Sequence, residues 1–176
     1  MKKSLLLWQL AGFVFTSAAG TLLHFVYEWS SQSILFAPFS AVNESIWEHM
    51  KLLFFPMLIF AFAESHYIGR QYPSFWYVKL AGIVSGLTLV PVLYYTYTGA
   101  FGVSADWFNI AIFFLAAAAA YLPETRFLKH GSRFCLSTQT SLTLLCIIAL
   151  SFVVFTFVPP SIPLFQDPGV GETVSY

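Results

Sequence analysis

The chain has 176 residues, eight basic against eight acidic, with 58% hydrophobic, 19% aromatic and only 9% charged side chains. A soluble domain carries about a quarter charged residues, so a water-soluble globule is excluded, and the abundance of apolar residues excludes a disordered chain. Cancelling charges leave no basic surplus for a nucleic-acid partner. The length suits one bundle of about five spanning helices and no separate soluble domain.

The first apolar stretch, from about Leu5 to Tyr27, covers roughly 34 Å as a helix, enough to cross a bilayer. It opens like a secretory signal, with Lys2 and Lys3 and then small residues at Ser17, Ala18 and Ala19. The apolar run continues past those residues, which predicts a retained span rather than a cleaved leader. A second span begins near Asn43 and ends by Ile68. The third runs from about Phe75 to Tyr97, the fourth from about Trp107 to Leu122, and the fifth from about Ser141 to Val158. Pro56 and Pro91 lie inside the second and third spans, where proline frees a carbonyl and kinks the helix. Gly82 and Gly86 form a G-x-x-x-G step that lets two backbones approach closely. Its first use is packing within the bundle; its second is a homo-oligomer contact.

After Val158 come Pro159, Pro160, Pro163 and Pro168, which cannot continue a helix. The chain therefore divides into a transmembrane domain at 1–160 and a proline-rich extracytoplasmic tail at 161–176. The apolar part of that tail, Ile162 to Phe165, is expected along the outer interface. Cys135 and Cys146 are about 16 Å apart along a helix, too far for a disulfide.

Orientation follows from the basic residues. Lys2 and Lys3 precede the first span, Arg70 and Lys79 flank the second connection, and Arg126, Lys129 and Arg133 occupy the fourth. Seven of the eight basic residues thus fall on alternate sides. By the positive-inside rule those sides are cytoplasmic, with the amino terminus inside and the carboxyl terminus outside. Lys51 is the exception.

Most polar residues collect at the outer face. His24 and Glu28 lie four residues apart on one face of the first span. The segment N-E-S-I-W-E-H-M-K, Asn43 to Lys51, leads into the second span. There Glu44 and Glu48 are again four apart, Lys51 follows on nearly the same face, and His49 points about 100° away. Antiparallel neighbours bring these groups to one depth. Tyr94, Tyr95 and Tyr97 end the third span at that level, and Asp106, Trp107 and Asn109 begin the fourth.

Ionisable groups near hydrocarbon are costly and by default mark function. Imidazole and carboxylate together suit a divalent metal, zinc or iron. His24, Glu28 and His49 are the expected ligands, Glu44 and Glu48 the acid–base pair, and Asn43, Lys51, Tyr94, Tyr97 and Asp106 the substrate contacts. The same carboxylates equally suit a proton relay. A structural reading competes with both: Asn43 can cap the second helix, Glu44 and Glu48 suit its macrodipole, and Lys51 can pair with either or snorkel outward. Glu64 and His66 form a second group near the inner end, with Arg70 close enough to pair with Glu64. Tyr and Trp at the outer level read first as an aromatic belt.

The stretch His24 to Pro56, with L-H-F-V-Y-E-W and then N-E-S-I-W-E-H-M-K-L-L-F-F-P, resembles a family of small bacterial multi-span membrane proteins of unknown function. The resemblance implies a bacterial inner-membrane protein with the N-E-S-x-W-E-H-x-K segment as its hallmark, and supplies no activity.

Two function classes follow. One is a membrane-embedded hydrolase or transferase, metal-assisted or acid–base, on a lipid or lipid-linked substrate. The other is a cation- or proton-coupled transporter or channel, with Pro56 and Pro91 permitting helix movement. A structural or interaction protein is the third possibility. The topology is testable directly. In a background without Cys135 and Cys146, a Glu172→Cys variant is expected to react with an impermeant thiol reagent in intact cells. Labelling only after permeabilisation would reverse the orientation.

Overall fold

The computed structural model describes residues 2–131 and 135–167, with side chains from Leu5 onward. Among the described residues the chain is all-helical: α1 Lys2–Trp29, α2 Ile46–Tyr67, α3 Phe75–Phe101, α4 Asp106–His130 and α5 Thr138–Phe157. All five are long and apolar enough to cross a membrane. Short 3₁₀ turns, Gly69–Gln71 and Pro163–Phe165, follow α2 and α5. Helix is the form expected in hydrocarbon, because it satisfies every backbone polar group within the segment.

Helices α1 to α4 close a ring in which α1 touches α2 and α4, and α3 touches α2 and α4; α5 packs on α2 and α3. The core between them is apolar and tight, with Leu53, Phe54, Ile83, Ala116, Ala117 and Ala120 fully buried. Lipid removes the hydrophobic drive between helices, so close packing and polar contacts must hold this ring.

Two span boundaries differ from expectation in ways that matter. The fourth helix does not stop at Leu122; it continues through Pro123 to His130. Pro123 leaves one carbonyl without its partner, yet Glu124 is fully buried on the inner face of α4 and the turn stays helical around it. Lys79 does not flank a connection. It lies in the second turn of α3 and is 2% exposed, whereas Arg70, Arg126 and Lys129 are exposed at that end of the bundle. The third helix also runs four residues past Tyr97, to Gly102, whose positive φ of 69° ends it.

The G-x-x-x-G step is consumed inside the chain. Gly86 faces Leu53, the Ala120 methyl and the Ala116 carbonyl, and Gly82 lies directly against the Glu124 carboxylate. A side chain at position 82 would overlap Glu124, while Gly99, also on α3, faces open space. Overpacking a tight contact costs about 1–3 kcal/mol, and Gly→Ala at an unstrained site gains about 0.4–1 kcal/mol. Gly82→Ala is therefore expected to lower thermal stability in detergent and Gly99→Ala to leave it unchanged or raised. Equal melting temperatures for the two would contradict the α3–α4 contact.

Candidate functional site

The site at the α1–α2 connection is built by the turn before α2. Asn43 Oδ1 accepts the Ser45 amide at 2.9 Å, and Ser45 Oγ accepts the Glu48 amide at 3.4 Å. Ser45, not Asn43, is the N-cap, and the helix starts at Ile46. Serine three residues before glutamate is a capping-box spacing. Here the Glu48 carboxylate reaches three residues further back than the cap, to the Val42 amide at 2.8 Å. Because Glu44 precedes the cap, it lies outside the helix and does not share a face with Glu48, contrary to the helical spacing read from the sequence. The two carboxylates part company at this turn.

Glu44 turns toward α1. Its Oε1 lies 3.7 Å from His24 Nε2 and its Oε2 lies 3.4 Å from His49 Nε2. The two imidazole rings are 5.5 Å apart between centroids. One ligand atom from each of His24, Glu44 and His49 lies within 4.8 Å of the others. Four-coordinate zinc with bonds of about 2.0–2.1 Å sets its ligand atoms about 3.4 Å apart; the His49–Glu44 distance matches that spacing, and the set as a whole would have to draw in from 4.8 Å to hold an ion. His49 Nδ1 lies 2.9 Å from the Ser45 carbonyl. Donation there fixes the ring and aims Nε2 at Glu44, the outer-shell arrangement that metal-binding histidines use. His24 Nδ1 is buried without a hydrogen-bond partner, so that ring is oriented by Phe25, His49 and Glu44 around it. The hydrogen bond with His49 holds the Glu44 carboxyl below its ordinary range, helped by the charges of His49 and His24 and opposed by partial burial. A lowered carboxyl contributes stability above the ordinary carboxylate range and loses it as pH falls through that range. Glu44 is 62% exposed, so solvent screens much of this contribution.

Glu48 turns inward instead. It is 3% exposed and binds Lys51 Nζ at 2.6 Å. Lys51 is fully buried and also donates to the Ala37 carbonyl and to Thr156 Oγ1, each at 2.8 Å. It does not snorkel outward, because these acceptors surround its ammonium and tie the α1–α2 connection, α2 and the end of α5 together.

The remaining expected site residues are dispersed. Glu28 is exposed and makes no side-chain hydrogen bond or ion pair among the described residues. Tyr97 accepts the Ala105 amide at 3.2 Å and stacks on Phe108 at 3.9 Å. Asp106 is exposed in the first turn of α4. No hydrogen bond or ion pair joins Tyr97 or Asp106 to the His/Glu group. Tyr94 lines a cleft of about 290 Å³ with Ile46, Tyr95, Thr98, Pro163, Gln166 and Asp167. The cleft reaches the site through Asp167, which accepts the Glu44 amide at 3.3 Å. The tail is held there as well, with Phe165 packed on Trp47 and Phe155.

A second group lies toward the opposite end. Lys79 Nζ sits 2.5 Å from both Glu64 Oε2 and Glu124 Oε2, and Gln9 Nε2 donates to Glu64 Oε1 at 2.8 Å. Each of these four side chains is at most 3% exposed. Reading from sequence placed Glu64 near Arg70 and missed Gln9, Lys79 and Glu124. The available signal was a lysine and two glutamates lying within or just beyond apolar spans.

Removing one partner of a buried pair costs about 3–5 kcal/mol, because the other charge is left uncompensated. Lys51→Met is expected to destabilise the folded protein by that order, and adding Glu48→Gln to recover much of the loss. Chemical unfolding of both variants in detergent checks this; an additive double variant would show that the two charges do not interact.

Neither a curated protein nor a solved structure matches the chain. The profile described as "Family of unknown function (DUF6512)" matches residues 1–173, nearly the whole sequence. The chain is thus a member of the DUF6512 family, with five helices of membrane-spanning length and apolarity.

Proposed function

We propose that this protein binds a divalent metal, zinc or iron, at its outer face and uses it in a hydrolase or transferase reaction on a lipid or lipid-linked substrate. The convergence of His24, Glu44 and His49, with ligand atoms within 4.8 Å, carries the reading. Two histidines and one carboxylate leave a fourth position open, the pattern of catalytic rather than structural zinc. A metal there would polarise a substrate oxygen or activate a water. Glu48 is committed to Lys51 and the Val42 amide, which makes it a positioning group for the turn. Glu28 lies one helical turn beyond His24 on the same face and, exposed and unpaired among the described residues, is available as a base. Lipid enters naturally from the side, and the cleft beside Tyr94 and Asp167 offers polar contacts for a headgroup. The expected home is a bacterial inner membrane, with this face outward.

Cation- or proton-coupled transport is the second reading, supported by charged groups buried toward both ends of the bundle. Against it stands the packed layer of Leu53, Phe54, Ile83, Ala116 and Ala117, all fully buried, between the two groups. Chelator-free purified protein is expected to carry stoichiometric zinc or iron, lost in a His24→Ala/His49→Ala double variant. Metal ligation needs deprotonated ligands, so affinity should fall as the pH is lowered. Metal-loaded protein in nanodiscs of bacterial lipid extract should release a headgroup product detectable by mass spectrometry, and the double variant should not. Absence of bound metal ends the metal reading. Cation flux in liposomes, abolished by Glu48→Gln, would replace it with transport.

A further inference from the structure

The inner cluster has an unequal charge count. Two carboxylates, Glu64 on α2 and Glu124 on α4, face one ammonium, Lys79 on α3; α1 contributes the neutral Gln9. The other titratable group against it is Tyr121, one turn from Glu124 on α4, whose ring lies 5.3 Å from Lys79 Nζ and whose hydroxyl pairs with Thr16 at 2.9 Å. Phe75 covers Lys79 from α3 at 5.5 Å. Among the described residues no second cation pairs with either glutamate, and His66, Arg70, Arg126, Lys129 and His130 are exposed. Both glutamates are 0% exposed. A surplus negative charge taken out of water is costly unless it is paired or neutralised.

The hydrogen bonds show the same imbalance. Glu124 Oε1, Glu64 Oε2 and Gln9 Oε1 are all buried without a hydrogen-bond partner, although Glu64 Oε2 remains close to the ammonium. Acceptors outnumber donors in this cluster. A proton corrects both deficits at once, since a protonated carboxyl loses its charge and becomes a donor. A larger ion does not suit the α3 side of the cluster, where Gly82 is pressed against Glu124 so closely that a single added carbon would overlap it. The outer pair makes the contrast. Glu48 and Lys51 balance one to one, and the Val42 amide supplies a further donor.

We propose that Glu64 and Glu124 form an intramembrane proton-binding site that takes up one proton between them, with Lys79 as the fixed counter-charge and Gln9 as the orienting amide. The site lies within about two helical turns of the inner end of the bundle, since Glu64 is three residues before the end of α2 and Lys79 four residues after the start of α3. Glu64 and His49 are about 22 Å apart along α2, so this proton site is separate from the outer metal site and does not depend on it.

Infrared difference spectroscopy of the metal-free protein in nanodiscs, between about pH 5 and pH 9, reads the carbonyl stretch of a buried protonated carboxyl directly. The wild type is expected to show one such band. Glu64→Gln and Glu124→Gln should each abolish it, because either leaves one carboxylate opposite one ammonium. Lys51→Met/Glu48→Gln, which removes the other buried pair together, should retain it. Lys79→Arg keeps the charge but changes the hydrogen bonds to both carboxylates, and should shift the band even if the glutamine variants fail to fold. A wild-type spectrum without the band, a band that survives both glutamine variants, or one unmoved by Lys79→Arg would overturn the proposal.

Discussion

An ammonium buried in a lipid-facing bundle must have a carboxylate against it, and two such ammonium groups organise this protein. Lys51 and Lys79 are both at most 2% exposed, and leaving either one uncompensated would cost about 3–5 kcal/mol, a large part of the stability of an ordinary domain. Lys51 therefore fixes Glu48, the α1–α2 connection through Ala37 and the end of α5 through Thr156. Lys79 fixes α2 and α4 through Glu64 and Glu124, and Gln9 extends the network to α1. Between them the two lysines tie polar groups from all five helices, in a solvent where apolar burial gives helices little reason to associate.

The His/Glu site is a consequence of the first of these ties. Once Glu48 is drawn inward to Lys51 and the Val42 amide, the chain from Val42 to Ser45 is held in a turn, and Ser45 caps α2. Glu44 is then left outside the helix, where it can reach His24 across to α1 and His49 along its own chain. The buried pair thus shapes the exposed triad without belonging to it. The segment from Asn43 to Lys51 divides its work accordingly: Asn43, Ser45, Glu48 and Lys51 build the turn, and Glu44 and His49 face the site.

Close approach of backbones is the other requirement of the inner network. Glu124 reaches Lys79 at 2.5 Å beside Gly82, and Ala116 and Ala120 meet Gly86 one turn further along. The small-residue stripe of α3 is what allows α4 near enough for its glutamate to be buried rather than to snorkel. Packing and electrostatics are coupled here, because a wider α3–α4 separation would admit water and remove the reason for the pairing.

Composition and apolar run length by themselves determined the class, the five helices and their approximate order, since hydrocarbon permits little besides helix for segments of this length. They also drew attention to His24, Glu28, Glu44, Glu48 and His49, because charged groups beside apolar spans stand out against so few charges, but with Glu28 rather than Glu44 as the expected third ligand. Tertiary structure decided which of those groups meet. The period of an α-helix put Glu44 with Glu48, and the Ser45 cap separated them; its S-x-x-E spacing is a sequence signal, but one that competes with Asn43 for the same cap. Lys79 and Glu124 are 45 residues apart, and nothing local distinguishes a lysine at a span's edge from a lysine inside the bundle. Counting charges assigned Lys79 to the membrane surface; two carboxylates from other helices, arriving at the same depth, buried it.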